Sequence, residues 1–183
     1  EPGAITGLLL RGVFLARDQD LAAFFELTAW ARWQRDDGAL CAALDRLMQS
    51  GTPGEQAELA RHWWHWEQSM DSEPATAEPP VELLLQRYRV QAHYLLHRCW
   101  LDTSPLLDRL GGLPAVPLRL LHGTRDRICP PEGAAALKRR WPAAQLMWIA
   151  GAGHAPTHPA MLGAMVSSLD AWAESGAFGS REC

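Results

Sequence analysis

The sequence predicts an α/β fold, a parallel sheet interrupted by a long helical insertion, from three changes in the period of its apolar residues. A β-rich run, Leu8-Leu9-Leu10-Arg11-Gly12-Val13-Phe14, comes first. From Gln19 to about Leu110 the apolar residues recur at helical spacing, and after Gly111-Gly112 the pattern becomes strand, helix, strand, helix. Residues 1–17 and 111–183 are therefore assigned to the sheet core and 18–110 to the helical part.

Each element has its own signal. Leu21, Phe24, Phe25, Trp30 and Trp33 make one helical stripe, and Leu40, Ala43, Leu44, Leu47 and Met48 a second. A third helix opens at Thr52-Pro53-Gly54-Glu55, where Thr52 can cap, Pro53 suits the first turn and Glu55 reaches back; it runs to about Met70. Asp71 to Pro80, with three prolines, reads as a solvated linker. A fourth helix, Val81 to about Arg98, carries Leu84, Tyr88, Ala92 and Leu95 on one face. Val116 to His122 and Gln145 to Ile149 read as strands flanking a helix at Pro131 to Trp141, a βαβ unit whose strands must be parallel. Met161, Leu162, Met165, Val166, Leu169 and Trp172 mark an amphipathic closing helix with Pro159 near its first turn.

Composition narrows the function classes. With 17 basic against 21 acidic residues the net charge is −4, the wrong sign for a nucleic-acid face. No apolar run approaches the ~20 residues that span a bilayer. Cys41, Cys99, Cys129 and Cys183 lack the paired spacings of a zinc site, so reduced thiols and a cytoplasmic location are expected. No cofactor is implied.

In an open α/β sheet, reacting groups gather at the carboxyl ends of the strands. Asp126, in His122-Gly123-Thr124-Arg125-Asp126, follows the first strand of the βαβ unit, and His154, in Gly151-Ala152-Gly153-His154, follows the second. On neighbouring strands ~4.8 Å apart the carboxylate can meet the imidazole and hold one tautomer, which is two-thirds of a nucleophilic triad. Singly, each residue is also compatible with a turn or a polar surface group. Gly151-Ala152-Gly153 imitates a dinucleotide fingerprint, but Pro156 stands at the third glycine and no later strand supplies the ribose-binding acid; nucleotide binding is rejected. His93 and His97 have i, i+4 spacing without an HExxH arrangement and read as a polar helix face. Trp63, Trp64, Trp66 and Trp100 either line a pocket or fill the helical core.

Leu10-Arg11-Gly12-Val13-Phe14-Leu15, Ala60-Arg61-His62-Trp63-Trp64-His65-Trp66-Glu67, His93-Tyr94, His122-Gly123-Thr124-Arg125-Asp126-Arg127-Ile128-Cys129-Pro130-Pro131 and Gly151-Ala152-Gly153-His154 occur in an order that resembles the proline iminopeptidase (prolyl aminopeptidase) family. The Trp-x-x-Trp-Glu helix together with the Asp-x-x-Cys-Pro loop is the specific part. The resemblance implies the C-terminal half of an α/β-hydrolase, with the helical part as a cap, that cleaves N-terminal proline from peptides. It makes Asp126 the triad acid, His154 the general base and acid, and Glu67 a ligand for the free α-ammonium of a peptide substrate.

Two departures bear on function. The family's second amine-binding glutamate is Gln91 here, which contributes no negative charge; losing a charged hydrogen bond costs roughly 1.5 to 3 kcal/mol of recognition. An esterase or amidase of the same fold is therefore an alternative. No Gly-x-Ser-x-Gly occurs between Glu1 and Cys183. The nucleophile and oxyanion loop are expected upstream, the missing N-terminal half of the fold is an expected partner, and without it a non-catalytic binding module is the third alternative.

Overall fold

The computed structural model describes residues 2–25, 27–33, 40–71, 77–101, 105–112 and 115–179. The chain divides into two compact units: one holds the chain up to Leu15 and beyond residue 103, the other nearly everything between.

The first unit is built on a three-stranded parallel sheet in the order β1 (Leu8–Arg11), β2 (Leu118–Gly123), β3 (Gln145–Ile149). Leu8 pairs with Leu118 and Arg11 with Leu121, while Arg119 pairs with Gln145 and Gly123 with Ile149, so all three strands end at one edge. Side chains alternate across the sheet at period two. Leu118 and Leu120 face a core containing Ala134, Ala136 and Leu137 of α7 (Pro131–Arg140), joined by Leu8, Leu10 and Leu146. Leu121 and Ile149 face Met161 of α8 (Pro159–Ser175), joined by Leu9 and Met147. β2 is buried along its whole length, as the central strand of a covered parallel sheet must be.

Two strand limits differ from the apolar pattern. β1 stops at Arg11 rather than running to Phe14, because Gly12 turns left-handed with φ +57°. β2 starts at Leu118 rather than Val116, since Pro117 has no N–H to give the ladder; its carbonyl accepts from the Leu8 amide at 2.8 Å. The closing helix begins at Pro159 as expected, but Leu162, Val166 and Leu169 lie about half exposed. Only part of its apolar stripe is core.

The second unit is helical: α1 (Asp18–Phe24), α2 (Leu27–Trp30), α3 (Leu40–Ser50), α4 (Pro53–Met70) and α5 (Val81–Leu96). A short α6 (Leu106–Arg109) belongs to the first unit. α4 starts with the capping box its sequence announces: the Glu55 amide donates to Thr52 Oγ1 at 3.3 Å and the Thr52 amide donates to Glu55 Oε2 at 3.0 Å. α3 and α4 both pack on α5. Trp63 decides the tryptophan question for its own position: it is fully buried, stacks on Tyr88 at 5.1 Å and meets Trp30 edge-on at 5.3 Å. Trp64 is also buried, Trp66 donates its indole N–H to the Phe24 carbonyl, and Trp100 is exposed. α5 ends at Leu96, two residues before the expected limit, and Arg98, Cys99 and Trp100 all take positive φ. Half of the expected linker, residues 72–76, lies outside the described residues.

Candidate active site

The carboxyl ends of β2 and β3 bring Asp126 and His154 together. Asp126 lies three residues past β2 and is buried; its Oδ1 accepts the amides of Ile128 at 3.0 Å and Cys129 at 2.8 Å. These two donors fix the carboxyl group and aim Oδ2 at His154 Nδ1, 2.9 Å away. A carboxylate only accepts, so the ring proton sits on Nδ1 and the Nε2 lone pair is left for another proton. Nε2 has no hydrogen bond among the described residues, and the His154 side chain is 27% exposed.

The loops carrying these residues are tied at the backbone. The Thr124 amide donates to the Ile149 carbonyl and the Arg125 amide to the Ala152 carbonyl, and Thr124 Oγ1 accepts the Gly151 amide at 2.9 Å. Gly123 makes this approach feasible: a Cβ there would lie 2.4 Å from the carbonyl oxygens of Ala152 and Gly153. Gly12, at the end of β1, is required twice, by its positive φ and because a Cβ would stand 3.0 Å from His154 Cε1.

Sequence reasoning missed two supports. Arg11 Nη1 donates to the His154 backbone carbonyl, holding the histidine loop to β1. His122 is fully buried, with Nε2 donating to the Cys129 carbonyl at 2.8 Å, Nδ1 accepting the Val13 amide at 3.4 Å, and Nε2 3.7 Å from Asp126 Oδ2. Both bonds demand one tautomer, protonated on Nε2. His122 thus braces the loop that holds Asp126. Its signal was present in His122-Gly123-Thr124-Arg125-Asp126, but a buried role for a strand histidine depends on partners distant in sequence.

A second polar cluster lies inside the helical unit. Glu67 on α4 is only 3% exposed, a buried carboxylate on a helix. Its Oε2 accepts from Arg87 Nη2 at 2.7 Å and from the Tyr88 hydroxyl at 3.0 Å, and Gln91 Nε2 lies 3.4 Å from Oε1. The structure brings Glu67 and Gln91 together, as it does Asp126 and His154. Burial, and next the Glu67 charge, push the Tyr88 phenol far above the ordinary tyrosine range. A raised folded-state value means that Tyr88 contributes stability that is fully present below its unfolded value near 10 and is lost as pH rises past it. Wild type is therefore expected to lose stability above pH ~10 more steeply than Tyr88→Phe, by up to about 1.4 kcal/mol per pH unit. Denaturant titrations at several alkaline pH values would read this; parallel slopes would contradict it.

Other candidates gather less. The His93 and His97 rings are 4.5 Å apart, yet no group of three metal-ligating side chains occurs among the described residues. Cys41 and Cys99 are free thiols; Cys129 is buried, and Cys183 lies outside the described residues. A cavity of about 680 Å³ between β3 and α8, bordered by Arg119, Trp148 and Phe178, includes neither Asp126 nor His154. No helix among the described residues is long and apolar enough to cross a membrane.

No family model matches the chain. Curated relatives do. A proline iminopeptidase of Xylella fastidiosa is 27% identical over 195 residues, covering 94% of this chain and 61% of that protein. This chain resembles the proline iminopeptidases. The proline iminopeptidase of Arabidopsis thaliana is 27% identical, covering 91% of this chain and 49% of that protein, and that of Neisseria meningitidis is 26% identical, covering 93% and 59%. The chain thus spans about half to three-fifths of the length of these proline iminopeptidases, consistent with their C-terminal half. Its fold is that of the α/β-hydrolases to which proline iminopeptidases belong, a parallel sheet with helices on both faces.

Proposed function

We propose that the protein containing this chain is a serine hydrolase of proline iminopeptidase type, releasing N-terminal proline or another small residue from peptides, and that residues 18–110 are its cap. The carrying observation is the 2.9 Å contact between His154 Nδ1 and buried Asp126 Oδ2 at adjacent strand ends. The similarity to named proline iminopeptidases supports peptide hydrolysis as the chemistry.

In this mechanism a serine upstream of the chain loses its hydroxyl proton to His154 Nε2 as its oxygen attacks the carbonyl of the first residue. Asp126 keeps the Nδ1 proton in place and stabilises the imidazolium. His154 then gives its proton to the departing peptide amine, the C–N bond breaks, and an acyl ester remains. Water, deprotonated by His154, hydrolyses that ester and regenerates the serine. Glu67, with Gln91, holds the substrate's α-ammonium, so that cleavage counts from the free end.

Gln91 favours one second reading, an esterase or amidase acting on an uncharged acyl group. Supplying the natural protein with L-prolyl arylamide and a short acyl arylester separates the two. Release of free proline and arylamine is the expected result; turnover of the acyl ester alone would select the second reading.

A further inference from the structure

We propose that Arg87 is a specificity gate on the amine subsite: its guanidinium occupies on Glu67 the place that a substrate's ammonium would take, and a free-amine substrate binds by displacing it. This inference rests on Glu67 being the ammonium ligand.

The asymmetry of the pair motivates it. The Glu67 side chain is 4% exposed, whereas Arg87 is 56% exposed, so the carboxylate is fixed and the guanidinium lies at the mouth of the cluster on a long stem. Arg87 and Gln91 stand one turn apart on α5, and both reach Glu67. Tyr88 donates from between them without adding charge. With Gln91 neutral, the charges of Glu67 and Arg87 cancel, and an incoming ammonium meets no net negative charge while Arg87 is in place. Once Arg87 swings into water, the same carboxylate, still accepting from Tyr88, can take the ammonium in the place of the guanidinium. The Arg87 head regains water as it leaves, and the buried Glu67 charge that it uncovers is paired again by the incoming ammonium.

Competition of this kind weakens free-amine substrates and leaves N-blocked ones unaffected, narrowing the discrimination between them. The test measures kcat/KM of the natural protein for L-prolyl arylamide and its N-acetyl form, together with calorimetric binding of L-prolinamide, in wild type, Arg87→Gln, Arg87→Lys and Glu67→Gln. Arg87→Gln is expected to raise the free-amine to acetyl ratio and tighten prolinamide binding, each by roughly fivefold. Arg87→Lys keeps the competing charge and should stay near wild type. Glu67→Gln should bring the ratio close to one.

Separate outcomes identify separate failures. A ratio unchanged in Arg87→Gln but lost in Glu67→Gln would overturn the gate and leave the ammonium site standing. A ratio unchanged in Glu67→Gln, or absence of both turnover and prolinamide binding in wild type, would overturn the ammonium site and the gate with it. Equal gains in Arg87→Lys and Arg87→Gln would also overturn the gate, since the charge would then be irrelevant.

Discussion

Replacing His154 by alanine in the natural protein is expected to lower kcat on L-prolyl arylamide by about 10³- to 10⁶-fold with a much smaller change in KM. The base acts on a proton that moves only in the transition state, so its loss falls on kcat. The same change leaves Asp126 Oδ2 buried without its 2.9 Å partner. An unmet buried acceptor costs about 1–3 kcal/mol, which lowers Tm by several degrees at most and leaves the protein folded at assay temperature. Steady-state kinetics beside a thermal melt check both parts. Turnover within tenfold of wild type would remove His154 as the base.

Asp126→Asn is the sharper change, because it alters almost no volume. The amides of Ile128 and Cys129 both point at Oδ1, so the asparagine must place its oxygen there and turn its NH₂ toward His154. That NH₂ donates to Nδ1 and drives the ring proton to Nε2, where it blocks acceptance of the serine proton. A fall of about 10⁴-fold in kcat is expected. Nitrogen-15 spectra of labelled histidine should show the His154 proton moving from Nδ1 in wild type to Nε2 in the variant. Retained activity, or an unchanged tautomer, would contradict the assignment.

The features legible in the sequence are those whose cause is local. The α4 capping box needs only Thr52 and Glu55, three residues apart, and it forms. The βαβ unit is written in consecutive apolar runs, and its parallel register places Gly123 beside Ile149, from which the meeting of Asp126 and His154 follows. The bond between β1 and β2 joins residues more than a hundred positions apart, and it is anticipated only as sheet resuming after a helical insertion.

The features that were not legible depend on distant partners. The resemblance singles out Glu67, but its burial shows only where Arg87, Tyr88 and Gln91, twenty or more positions later, close over it. His122 reads as the end of an apolar strand; its hydrogen bonds to Cys129 and Val13 come from a loop and from the far side of the insertion. The left-handed turn at Arg98, Cys99 and Trp100 has no glycine to announce it, although each such residue costs roughly 1–2 kcal/mol. The half-exposed row Leu162, Val166 and Leu169 was expected as part of an amphipathic stripe, but periodicity marks a face without saying what covers it.

In the proposed mechanism Asp126 and His154 serve a serine nucleophile. Labelling the natural protein with a fluorophosphonate probe and locating the modified residue by mass spectrometry tests it most directly. Covalent modification of one serine outside residues 1–183 is expected, lost or greatly slowed in His154→Ala. No modification of folded, active protein, or modification at a serine within residues 1–183, would contradict it.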